Sequence, residues 1–126
     1  MTEKFNPFTL EGKSILVTGA SSGIGRATAI VCSKMGASLL ITGRNEQRLN
    51  ETFNELKGEN HHSIIADLST SEGRRQLLDH VEKIDGVVHC AGISGHKVFQ
   101  FLKDTEIEEM FDINFNTPLL LSRDLV

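Results

Sequence analysis

There is no tryptophan and no tyrosine in this sequence, and seven phenylalanines supply all of its aromatic character. Chemistry that needs a phenol as general acid therefore has no donor here. Cysteine is scarce: Cys32 falls in a predicted helix and Cys90 in a predicted strand. Without a signal peptide these two read as buried free thiols and not as a disulfide. Residues 1–12 lack the apolar core of a secretory signal, and no later run approaches membrane-spanning length. A cytoplasmic protein with no membrane contact is the expectation. Positive charge is not in excess either. At a net −4, nothing electrostatic favours nucleic acid or an anionic surface as a partner. The adjacent His61 and His62 precede an extended segment, where neighbours face opposite ways, so they make a poor metal site. No metal is expected.

What is present is ordinary in amount and specific in order. The 126 residues, 39% of them apolar, suit one domain with a modest core. Residues 13–35 organise the rest. Ile15, Leu16 and Val17 form the short apolar run of a strand buried on both faces. Gly19, Gly23 and Gly25 follow, and then Ile24, Ala27, Thr28, Val31 and Met35 recur at helical spacing. Strand, glycine turn and helix make a phosphate-binding arrangement. Gly19 lets the strand turn sharply, Gly23 lets a pyrophosphate approach the main chain, and Gly25 lets the helix lie close to the strand. Amides of the first helical turn then point at the anion, and Ser21 and Ser22 can add hydroxyl donors. The G-x3-G-x-G spacing lacks the lysine of a P-loop, which argues against a nucleoside triphosphatase.

Thr18-Gly19-Ala20-Ser21-Ser22-Gly23-Ile24-Gly25 resembles the T-G-x-x-x-G-x-G motif of the short-chain dehydrogenase/reductase family, including its 3-oxoacyl-ACP-reductase-like members. The resemblance extends from about Leu10 to Val126. It implies an α/β fold: a three-layer Rossmann-type parallel sheet with helices on both faces, binding NAD or NADP for reversible carbonyl reduction.

Further along, residues 37–42 form a second apolar run closed by Gly43-Arg44-Asn45. At this place an acidic side chain would bind the ribose 2′-OH of NAD. Arg44 would instead pair with a 2′-phosphate through its planar fork, so NADP is the expected cofactor and NAD the lesser one. The alternative for Arg44 is a solvated residue at a helix start. A helix over residues 45–57 places Leu49, Phe53 and Leu56 inward, and its Glu and Arg residues read as a solvated face. Residues 63–66 read as a third strand, followed by Asp67-Leu68. Resemblance places Asp67 on the adenine amino group with Leu68 near the ring; an Asp turn is the compatible alternative. Ser69-Thr70-Ser71-Glu72 offers a capping box to a helix ending near Lys83. A fourth strand spans residues 84–90, and four strands alternating with helices predict a parallel sheet with right-handed crossovers; the usual Rossmann winding then gives the order 3-2-1-4 with a ligand crevice between strands 1 and 4.

His89-Cys90-Ala91-Gly92 stands where the family has Asn-Asn-Ala-Gly. Ala91 and Gly92 match and allow the nicotinamide side to approach the backbone; Cys90 departs, and reads as a structural thiol. Residues 92–103 form a loop at the expected substrate entrance. Thr105 and Glu108 suggest a capping box for a last helix with Ile107, Met110, Phe111 and Phe115 as its apolar face. Asn114 matches the family's helix asparagine, implied to hold a relay water through its main chain; a locally competing asparagine is the alternative. Pro118 removes an intrahelical donor nearby. On the amino-terminal arm, Phe5, Phe8 and Leu10 are expected to cover the bottom of the sheet.

The resemblance places the serine and the Tyr-x-x-x-Lys of the family in a second half, beyond this chain. The chain then reads as a single incomplete domain, residues 1–126: the amino-terminal, dinucleotide-binding part of a reductase acting on a small carbonyl or alcohol, inactive alone. Two other readings stay open, a non-catalytic nucleotide-binding or redox-sensing module and an interaction half-fold. An unpaired fourth strand and exposed leucines predict a homo-oligomer.

Overall fold

Strand β1 (Ser14–Thr18) shows why the fold has three layers. In the computed structural model, which describes residues 5–93 and 97–126, Leu16 and Val17 are both fully buried but belong to two different cores. Successive side chains of a strand point to opposite faces, so an unbroken apolar run serves a sheet covered on both sides. Strand β2 (Ser38–Gly43) repeats the pattern: Leu39 and Ile41 join Val17, whereas Leu40 joins Leu16.

The chain continues from β1 through α1 (Gly23–Lys34), β2, α2 (Glu46–Glu55), β3 (His62–Ile65), α3 (Ser71–Leu78) and β4 (Gly86–His89). The strands are parallel in the order β3-β2-β1-β4, as the sequence predicted. Leu49 of α2 and Ala29 of α1 fill the core on one face. Leu77 of α3 fills the other, with Leu121 of α5 (Thr117–Leu125). Burying each such leucine is worth about 2 kcal/mol. After β4 come a 3₁₀ turn (Phe99–Phe101), α4 (Asp104–Phe111) and a π-helical stretch (Asp112–Asn116) that runs directly into α5. No helix among the described residues is long and apolar enough to cross a membrane.

Several local expectations need correction. Helix α1 buries Gly25, Ala29 and Ser33, whereas Ile24 is 79% and Val31 52% exposed. Small residues win that face because a Cβ on Gly25 would overlap the Gly19 carbonyl; bulkier ones would hold the helix off the sheet. Phe5 and Phe8 are exposed and cover nothing. Among the described residues of the arm, only Leu10 packs on the core, tied by its N–H to the Met35 carbonyl at 2.8 Å.

Helix α3 is capped by Thr70, whose hydroxyl accepts from the Gly73 N–H at 3.0 Å. The box read on Ser69 does not form, because that hydroxyl donates to Asp67. The helix stops at Leu78, short of Lys83. Helix α4 begins at Asp104 without a side-chain cap, so Thr105 lies inside its first turn and the Thr105–Glu108 box is absent. The π turn adds a residue to the helical repeat and swings Phe111 and Phe115 outward. Both cysteines are free, and each is half-buried rather than sealed in a core.

Candidate cofactor site

At the carboxyl ends of β1 and β4 the sheet opens into a cleft of about 540 Å³. Its floor is the glycine turn. Gly19 has φ +61°, and a Cβ there would lie 2.5 Å from the Ala91 nitrogen. Only glycine permits both the turn and this contact between the ends of the two central strands. Gly25 stands behind the wall and sets the seat of α1, while nothing lies within 4 Å of the Gly23 Cβ position, which faces open space. Thr18 also sits behind the wall, 1% exposed. Its hydroxyl accepts from the Cys90 and Ala91 N–H groups at 3.2 and 3.3 Å, lashing β1 to the exit of β4.

Helix α1 points its amino end into the cleft, and Ser21, Ser22, Gly23 and Ile24 line that rim. Ser22 occupies the N-cap position but makes no capping hydrogen bond. By contrast, Asn45 caps α2 through the Arg48 N–H at 2.9 Å, and Thr70 caps α3. The first-turn amides of α1 thus keep free donors where the dipole is most positive.

One end of the cleft carries Arg44 at the exit of β2, with Arg48 from the first turn of α2. Arg48, read from sequence as part of a solvated face, was missed as a site residue. Its four-residue spacing from Arg44 was the available signal. Asp67, Leu68 and Ser69 form the side beyond β3. Asp67 accepts from the Ser69 hydroxyl at 2.6 Å and the Ser69 N–H at 3.0 Å, which is the Asp turn. The Ser69 hydroxyl above all, helped by Arg44, holds the Asp67 carboxyl below its usual range against partial desolvation. Beneath this end lies Thr42, fully buried, with no partner for its hydroxyl among the described residues. A buried polar atom left unpaired is rare in proteins, and an ordered water commonly satisfies one.

Cys90, Ala91 and Gly92 line the other end, with Ile113 and Thr117 from the π stretch and α5, two residues the sequence reading missed. His89 points away and meets Ser122 at 2.9 Å, as alternation in a strand requires. Asn114 stands beside the cleft, not in its lining. Its side-chain amide accepts from the Ile93 N–H at 2.8 Å and donates to the Ile93 carbonyl at 2.6 Å. The loop beyond, with Gly95 and His96, lies partly outside the described residues. No cluster of three metal-ligating side chains occurs among the described residues.

A sequence model of the short chain dehydrogenase family matches residues 13–126. This chain belongs to the short-chain dehydrogenase/reductase family. It is 34% identical over 117 residues to the 3-oxoacyl-[acyl-carrier-protein] reductase FabG of Rickettsia prowazekii, covering 93% of this chain and 48% of that protein. The uncharacterized oxidoreductase YvaG of Bacillus subtilis is 34% identical over 90% of the chain and 45% of its own length. Among solved structures, a short chain dehydrogenase from Salmonella enterica serovar Typhi superposes with a TM-score of 0.84 at 30% identity, over 97% of this chain and 55% of that one. The chain thus spans about half the length of the curated relatives it matches.

The family implies a nicotinamide dinucleotide, and the residues present fit one. Gly23 leaves the main chain approachable, and α1 keeps its first amides free. A second cleft of about 570 Å³ opens at the opposite end of the sheet near Ser14, Ser38 and Lys83. It has no glycine turn and no helix amino end facing it, and carries none of this chemistry.

Proposed function

We propose that this chain is the NADP-binding part of a short-chain reductase that moves hydride between NADPH and a small carbonyl or alcohol. The observation that carries the reading is the uncapped amino end of α1 above the glycine turn, opening into a cleft whose far end is cationic. The pyrophosphate sits on the α1 amides, which need no cap of their own when an anion is bound. Arg44 stands where an acidic residue would select NAD, and its guanidinium favours the extra phosphate of NADP. Asp67 serves the adenine amino group with Leu68 beside the ring, and Ala91 and Gly92 border the nicotinamide ribose. Asn114 helps to hold a relay water. The proton donors of the reaction lie outside these residues, since the chain has no tyrosine. A 3-oxoacyl thioester is a compatible substrate class. Two free thiols suit a reducing, cytoplasmic setting, and the chain works as a homo-oligomer.

Titration with NADPH, followed by nicotinamide fluorescence, should show saturable binding tighter than for NADH. Arg44→Asp should erase that preference. No fluorescence change in the parent chain would favour a pure interaction role, and unchanged NADPH affinity in the variant would overturn the assignment of Arg44.

A further inference from the structure

We infer that Arg48 is the second half of a two-guanidinium clamp, closing with Arg44 on a phosphate monoester at the β2 end of the cleft. The inference rests on the NADP reading and extends it to a specificity-determining residue. Arg48 is the third residue of α2, four positions beyond Arg44, and both line the cleft. That placement is electrostatically unfavourable in the chain alone. A cation at a helix amino end opposes the dipole, and two cations lining one cleft repel.

At the cleft the Asp67 carboxylate offsets it in part, through its attraction to Arg44. Glu51 and Glu55 are taken by Arg26 at 3.7 and 2.7 Å. Glu46 lines a neighbouring groove that Arg44 also borders, without an ion pair between the two. Among the described residues, no carboxylate lies within 4.0 Å of either guanidinium, and neither makes a hydrogen bond. Asp67 faces the same cleft, but its Oδ1 is held by Ser69. The Thr42 hydroxyl, buried and without a partner among the described residues, borders the same end of the cleft.

The number of cations fits the number of charges. A pyrophosphate bears about one negative charge per phosphorus, and backbone amides at a helix start suffice for it. A terminal monoester is close to a dianion at neutral pH, as phosphorylated side chains are, and two planar forks can grip its three free oxygens. The 2′-phosphate of the adenosine ribose is the monoester in question.

The test uses the 126-residue chain with adenosine 2′,5′-bisphosphate and 5′-AMP, which differ only by the 2′-phosphate. Calorimetry should show the parent chain preferring the bisphosphate. Arg48→Gln should weaken bisphosphate binding by about tenfold and leave 5′-AMP within about twofold. Arg48→Lys should recover part of the loss, because a point charge replaces the fork. Equal loss for both nucleotides would show a structural role and overturn the clamp. If the parent prefers the bisphosphate and only Arg44→Gln abolishes the preference, the NADP reading stands and the inference about Arg48 fails. A parent chain without preference overturns both.

Discussion

Residue chemistry in this chain is decided by what lies behind each side chain. His89 and Cys90 are neighbours on one strand exit, yet Cys90 borders the cleft while His89 turns into the second layer toward Ser122. Burial pushes the His89 pKa below its ordinary 6.5, because an imidazolium loses solvation there. The sign of the consequence follows directly. Below pH 6.5 the unfolded chain takes up this proton more readily than the folded one, so stability falls as pH drops from 6.5 toward the lower folded value. Above 6.5 the contribution is fully present. Denaturant melts of the parent and His89→Asn between pH 5 and 7.5 should differ in slope, with the variant flatter. Parallel profiles would mean that His89 charges freely in the fold. Asp67, Asp85 and Glu106, whose carboxyls are held below their usual range, act only at lower pH.

At the level of elements, the join between β4 and the final helix is the part least evident from local pattern. Periodicity suggests one amphipathic helix interrupted by Pro118. The structure instead has α4, a π turn and α5 in one continuous run, with the Thr117 hydroxyl donating to the Asp112 carbonyl at 2.7 Å. Inside that turn, Asn114 grips both polar groups of Ile93. Two hydrogen bonds at a partly solvated site amount to about 1–2 kcal/mol. Asn114→Ala should cost that much in chemical denaturation and speed amide exchange at Ile93. Asn114→Asp keeps the acceptor for the Ile93 N–H but sets a carboxylate against its carbonyl, and should recover less than half. A loss under about 0.3 kcal/mol in the alanine variant would leave the clamp without energetic weight.

For the whole molecule, the unsatisfied surfaces are the informative ones. Among the described residues, strand β4 pairs only with β1, and its outer edge has no neighbour in the sheet. Phe111, Phe115 and Leu119 recur at four-residue spacing, 62%, 60% and 56% exposed. An apolar stripe and an open edge both favour association. Sedimentation should show dimers or larger species in equilibrium with monomer at micromolar concentration, shifted toward monomer by Phe115→Glu. A monomer throughout would remove the homo-oligomer from the proposed function.

The strand order is expected from the usual Rossmann winding; the glycine turn and the positions of Arg44, Asp67 and Ala91 at strand exits follow from local pattern. Ile15, Leu16 and Val17 form the apolar run that a strand covered on both faces requires, and glycines at 19, 23 and 25 leave few alternatives for the turn. Those features are set by backbone sterics and burial, which act over a few residues. Other features needed the assembled fold. Helix α1 exposes Ile24 and Val31 because the contact of Gly25 with the Gly19 carbonyl dictates its face, and that is a distance between elements. Arg48 reads as one more charge on a solvated helix until tertiary packing sets it at the rim beside Arg44. Sequence determined the frame of a cofactor grip; the packing of α1 and α2 against the sheet decided which side chains reach into it, since a long side chain's reach depends on where its neighbours leave room.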